Sequence, residues 1–175
     1  KIETFGTAIP NKTRAYNIEK YQILSPIEFN KKVKKGEGIA KLKSRDILAP
    51  FDGVVGKRDF SNDLEVSKSS MVINIEDSSI IFSDLNIPET YASVMKKGLP
   101  IEASFSGYKN KIYEGEIDSV ASRINTDTRS LSIRIKIINE ESELIPGALL
   151  SVKIKYNERN SLSVPDTSVI LEGSK

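Results

Sequence analysis

Histidine and cysteine are both absent from the 175 residues. Without them the chain can build no Cys/His metal site, no thiolate nucleophile and no Ser–His or Cys–His relay. Disulfides are excluded by the same absence, so cysteine usage says nothing about the redox compartment. A dominant charge sign is missing too: 26 Lys and Arg stand against 24 Asp and Glu, a formal +2. That near-balance gives no basic footprint for nucleic acid. No apolar run approaches the roughly 18 residues that span a bilayer, and no secretory-type leader opens the chain. The chain as given is therefore expected to be soluble. Any catalysis would rest on Asp, Glu, Lys, Tyr or Ser alone.

Period-2 alternation dominates from the middle of the chain onward. Leu131, Ile133, Ile135 and Ile137 alternate with Ser132, Arg134 and Lys136, and Leu150, Val152, Ile154 and Tyr156 with Ser151, Lys153 and Lys155. Tyr113, Gly115 and Ile117 alternate with Glu114, Glu116 and Asp118, and Ile101, Ala103 and Phe105 with Glu102 and Ser104. Successive strand side chains point to opposite faces, so each segment has one wet and one buried face. Turn signals between such strands suggest an antiparallel sandwich or barrel. One helix of about two turns is expected over residues 88–98. Pro88 and Glu89 suit a first turn, Tyr91, Val94 and Met95 share a face, and Gly98 suits the C′ position.

The first half contains a repeat. Val33, Ile39 and Leu42 line up with Val66, Val72 and Ile75 at a constant offset (66 − 33 = 72 − 39 = 75 − 42 = 33). Upstream of the copies stand Ser25-Pro26-Ile27-Glu28 and Ala49-Pro50-Phe51-Asp52. Neither half can bury its apolar face alone, so the two are expected to pack around a shared core.

These half-motifs, with a set of ordered downstream motifs, resemble the split biotinyl/lipoyl-like domain and barrel of periplasmic adaptors, the membrane fusion proteins of tripartite efflux pumps. The residues that carry the likeness are 33–42, then Ile47-Leu48-Ala49-Pro50-Phe51-Asp52-Gly53-Val54-Val55-Gly56, then Ile87-Pro88-Glu89. Asp127-Thr128-Arg129-Ser130, Ile145-Pro146-Gly147-Ala148-Leu149 and Leu162-Ser163-Val164-Pro165 follow in the family's order. The resemblance implies a mainly β chain. It has a lipoyl-like β-sandwich at 16–78, an antiparallel β-barrel with the short helix at 79–156, and a partial membrane-proximal domain from 1–15 and 157–175. It also implies part of a longer protein, held in the periplasm at the inner membrane, with no catalysis and no cofactor or metal. The implied partners are an inner-membrane RND-type transporter, an outer-membrane channel and further copies in a ring, and the cargo is drugs or other small molecules. An ABC-type exporter as partner, and a lipoyl or biotinyl carrier domain, stand as alternatives.

The chain departs from the family between the lipoyl halves. Most adaptors insert a long α-helical hairpin there, whereas Lys43-Ser44-Arg45-Asp46 alone separates Leu42 from Ile47, with no heptads. Deletion, omitted residues and a natural hairpin-less adaptor all account for this. Contact through the rim at Lys43, Ser44, Arg45 and Asp46 would then replace the hairpin tip. Arg129 is a second candidate contact, with an internal ion pair or carbonyl bond as its structural reading.

Other candidates have simpler readings. Lys43 stands where a carrier lysine would, but Leu42 and Ser44 give neither an MKM nor a DKA context. Gly36, Gly38, Gly53 and Gly56 precede no helix and form no phosphate-loop motif. Asp59/Asp63/Glu65 and Glu140/Glu141/Glu143 lack EF-hand spacing and read as solvated turns. Lys31, Lys32, Lys34 and Lys35 suit either an anionic partner surface or a wet strand edge. Glu114, Glu116 and Asp118 read as the wet side of a strand rather than as glycosidase carboxylates.

Overall fold

A computed structural model describes residues 1–58 and 69–156. Its strands are β1 (Ile2–Thr7), β2 (Ile9–Glu19), β3 (Lys32–Val33), β4 (Gly38–Lys41), β5 (Asp46–Leu48) and β6 (Gly53–Arg58). They continue with β7 (Ser70–Pro88), β8 (Pro100–Phe105), β9 (Tyr113–Asn125), β10 (Ser130–Ile138) and β11 (Leu149–Ile154). The chain divides into two units, Pro10–Ile80 and Lys1–Ile9 with Ile81–Lys175.

In the second of these units the strands run in the order β1-β11-β8-β9-β10-β7, antiparallel at each register determined. The alternation read from the sequence is the reason. Leu131, Ile133, Ile135 and Ile137 on β10 are buried, as are Ile101 and Ala103 on β8 and Leu150, Val152 and Ile154 on β11. Each such aliphatic side chain gains about 1.5–3 kcal/mol on full burial, so this inner face supplies most of the drive to fold. Register shifts between Leu131 and Ile133, and between Arg134 and Ile135, mark bulges that bend the β9–β10 pair. On the wet face Arg134 makes a two-pronged bond to Asp84 at 2.8 and 3.0 Å, with its guanidinium 5.6 Å from the Phe82 ring centroid.

Among the described residues no backbone ladder joins β1 to β7, so the sheet does not close by hydrogen bonds. The two end strands nevertheless touch at one point. The buried Ser83 hydroxyl donates to the Thr7 carbonyl at 2.9 Å. Gly6 lies so close to β7 that a Cβ there would fall on Ser83 Oγ and Leu85 Cδ2.

Residues 1–9 thus correct the expected boundary at residue 15. Ile2 pairs with Ile154 and is buried in the barrel core, while β2 from Pro10 onward belongs to the other unit. The expected membrane-proximal segment 157–175 lies outside the described residues. The expected α-helix is instead a 3-10 turn, Glu89–Val94. Pro88 at its N-cap offers no side-chain acceptor, and the Glu89 N–H is already bound to the Arg129 carbonyl at 3.0 Å. A six-residue segment without a cap holds the tighter helix more readily. Its Tyr91, Ala92 and Val94 still pack on the core beside buried Met95.

In the Pro10–Ile80 unit β2 pairs with β7, β3 with β6, β6 with β7, and β4 with β5. Val33, Ile39, Leu42 and Ile75 join one core with Ile18, Ala40, Ile47, Ala49, Val55 and Ile73. The repeat is therefore real in its outcome, with one difference. On regular β7 the residues 73 and 75 share a face and Val72 points away, buried outside this core. On β4 a register shift between Gly38 and Ala40 lets Ile39 and Ala40 both turn inward. Val66 lies outside the described residues.

The seam sets the first expected outcome. Gly6→Ala should destabilise the chain by about 1–3 kcal/mol through overpacking, read as a lower urea midpoint with an unchanged m-value. A stability equal to or above that of the parent would show that the seam is not tightly packed.

Candidate functional site

The lipoyl-like rim is built where two short segments meet. Residues 42–45 join β4 to β5, closed by the Leu42 N–H on the Arg45 carbonyl at 2.9 Å. The segment after β2 lies alongside. Lys43 N–H donates to the Gln22 carbonyl at 2.8 Å, Leu24 N–H donates to the Lys41 carbonyl at 2.9 Å, and Ile23 bridges Leu42. Lys43, Ser44, Arg45 and Asp46 are all exposed. The Lys43 ammonium stands 5.9 Å from the Tyr21 ring centroid, a distance suited to cation–π attraction.

This arrangement adds residues that sequence reasoning missed. Tyr21 and Leu24 are exposed by 64 and 53%, large apolar surfaces without a cover among the described residues at the same rim. Tyr21-Gln22-Ile23-Leu24 reads as an apolar strand end, and nothing in its spacing says that half of it faces water. Gln22 Oε1 is enclosed there with no hydrogen-bond partner among the described residues. The rim is an apolar and basic surface with one carboxylate, Asp46.

Arg129 is not part of the rim. It sits exposed at φ 53° in the β9–β10 turn, its carbonyl taken by Glu89. Asn125 Oδ1 fixes that turn by accepting from the Asp127 and Thr128 N–H groups at 3.0 and 3.2 Å. Gly53 and Gly56 lie inside β6, Gly38 begins β4 and Gly36 stands in the turn before it, so none forms a phosphate cradle. Asp59, Asp63 and Glu65 lie outside the described residues.

The Glu140–Glu143 group lies at the end of the barrel unit, and its members are not free-standing. Lys111 Nζ is 2.9 Å from Glu141 and 2.5 Å from Glu143, and the Tyr113 hydroxyl donates to Glu143 at 2.7 Å. Lys111 first, then Tyr113, hold the Glu143 carboxyl below its ordinary 4.5. Burial, with the bond to Glu143, pushes the Tyr113 phenol up to about 12. Among the described residues no group of three or more His, Cys, Asp or Glu is arranged to hold a metal ion.

Residues 83–158 match the family model of the CusB-like β-barrel domain. SilB of Salmonella typhimurium is 26% identical over 129 residues, 74% of this chain and 30% of SilB. The cation efflux system protein CusB of Escherichia coli K12 is 23% identical over 136 residues, 77% of this chain and 33% of CusB. Residues 83–158 carry the CusB-like β-barrel domain, and the chain is similar to membrane fusion proteins. It spans about a third of the length of these two relatives. The structure of the membrane fusion protein Spr0693 from Streptococcus pneumoniae superposes with a TM-score of 0.62 at 11% identity, covering 90% of this chain and 100% of that one. That likeness concerns the fold, and it extends over both units. No helix among the described residues is long and apolar enough to cross a membrane.

Two outcomes test this geometry. Glu143 has a folded pKa below its unfolded value, so its bond to Lys111 stabilises above pH 4.5 and is lost as pH falls through the lowered pKa. Carbon-detected NMR should give a Glu143 midpoint under 4.5, moved upward by Lys111→Met. An unmoved midpoint would sink the ion pair. At the rim, Lys43 stands over Tyr21 rather than on a free arm. The intact mass of protein from its native cell should therefore carry no lipoyl or biotinyl adduct, and an adduct on Lys43 would restore the carrier reading.

Proposed function

We propose that this chain is part of a membrane fusion protein, the periplasmic adaptor of a tripartite efflux pump. In this reading it bridges an inner-membrane RND-type transporter and an outer-membrane channel, several copies form a ring, and drugs or other small molecules are the exported cargo. The chain performs no catalysis of its own. The observation that carries the reading is the joining of a split lipoyl-like unit to a CusB-like β-barrel domain in one chain. An adaptor works through surfaces, which suits a chain without His or Cys.

The rim at Lys43–Asp46, enlarged by Tyr21 and Leu24, is the proposed channel contact. Residues 42–45 leave no room for a helical hairpin, so the partner has to be reached from the lipoyl-like unit itself. The apolar side chains there are of the kind that anchors an interface, and the surrounding cations set its register.

Chemical cross-linking of native membranes, followed by affinity capture of the full-length protein and mass spectrometry, tests the reading. Recovery of an RND-type transporter with an outer-membrane channel, cross-linked at Lys41 or Lys43, is the expected result. Recovery of an ABC transporter would move the adaptor to that exporter class. Capture of neither would leave only the fold.

A further inference from the structure

Two charge motifs stand apart from the rim and from the core. They are opposite in sign, and each surrounds an exposed apolar side chain. The first is the lysine run. Lys31 is drawn to Glu28 at 3.5 Å and Glu37 at 3.6 Å. Backbone bonds from Lys34 N–H to Glu37 at 3.0 Å and from Lys35 N–H to Asp52 at 2.7 Å then fix the turn. The ammonium groups of Lys32, Lys34 and Lys35 are exposed and have no carboxylate in ion-pair range among the described residues. Leu48 lies against this turn, since Gly36 N–H binds the Ala49 carbonyl and Ala49 N–H binds the Glu37 carbonyl, both at 2.8 Å. Leu48 is thus a 53% exposed apolar knob on a basic turn.

The second motif is the groove over Lys111 at the end of the barrel unit, about 640 Å³ in volume. Its apolar lining is Ile112 and Ile138, exposed by 61 and 54%. Five carboxylates line it: Glu102, Glu114, Glu140, Glu141 and Glu143. Among the described residues, Lys111 pairs with Glu141 and Glu143, Lys155 pairs with Glu102, and Lys1 and Lys153 add a weaker attraction to Glu102. The groove therefore offers two exposed aliphatic side chains among an excess of carboxylates, the complement of Leu48 beside its lysines.

We infer that the groove receives the Lys32–Lys35 turn and Leu48 of a second copy of this chain. The occupant is set by charge complementarity and by an apolar knob that meets an apolar lining. The contact joins two different faces, so it is heterologous and repeats from copy to copy, closing into a ring where the rotation allows. Each contact is modest, and closure multiplies it. The inference rests on the adaptor reading only for its call for several copies, and it names the faces that meet.

Sedimentation velocity of the 175-residue chain tests it, at about 50 mM and about 500 mM salt, a span over which exposed charges become screened. Self-association is expected at the lower salt, weakened about tenfold or more at the higher. Glu140→Lys with Glu141→Lys, and separately Lys34→Glu with Lys35→Glu, should each abolish it. Mixing the two double variants should restore association, because each supplies the complement of the other. Leu48→Asp should weaken it as well. Circular dichroism checks that these exposed substitutions leave the fold intact. A parent chain that stays monomeric at low salt, or variants that associate as the parent does, would overturn the inference. Recovery of transporter and channel in the native-membrane capture would then still stand, so the two failures are distinguishable.

Discussion

The barrel unit depends on the close approach of β1 to β7 at Gly6. The aliphatic inner faces of β8 to β11 supply the drive to bury, yet they leave a sheet with two ends. Closing those ends by a full ladder would need β1 and β7 in continuous register. Here one buried hydroxyl, Ser83 on the Thr7 carbonyl, and the missing side chain at residue 6 do the work. The chain leaves this unit after Ile9 and re-enters at Ile81, within three residues of that bond.

A net charge of +2 conceals how the charges are sorted. Lysines without a carboxylate partner among the described residues gather on the turn at Lys32–Lys35, and carboxylates outnumber cations around Lys111. Composition averages these patches away. The hydrophobic effect explains the two cores but not this sorting, because charged side chains on wet faces are free to be of either sign.

Much of the fold was legible because the β period is short and the core is aliphatic. Leu131–Ile137 and Leu150–Ile154 announce their inner faces without ambiguity. The N-terminal strand was not legible. In Ile2–Thr7 the aromatic Phe5 faces water and the small Gly6 faces inward, which inverts the usual cue, and its partner β11 lies at the far end of the chain. The helix at residue 89 was placed correctly but its hydrogen-bond pattern was not, because that depended on a carbonyl from Arg129. The four rim residues were found from a gap between half-motifs. Tyr21 and Leu24 were invisible until backbone bonds brought their segment to the same gap.

The pairing of Ile2 with Ile154 also bears on how the protein is made. A ribosome releases residues 10–80 in full before the last barrel strand exists, so the lipoyl-like unit has all of its core residues while β1 still lacks its ladder partner. The barrel must wait for a contact spanning nearly the whole chain, the kind of long closure that slows folding. During that wait β1, with Phe5 exposed, is a bare strand edge beside other nascent copies. Insertion of one unit within another thus creates an interval in which the growing chain needs protection from pairing with the wrong neighbour.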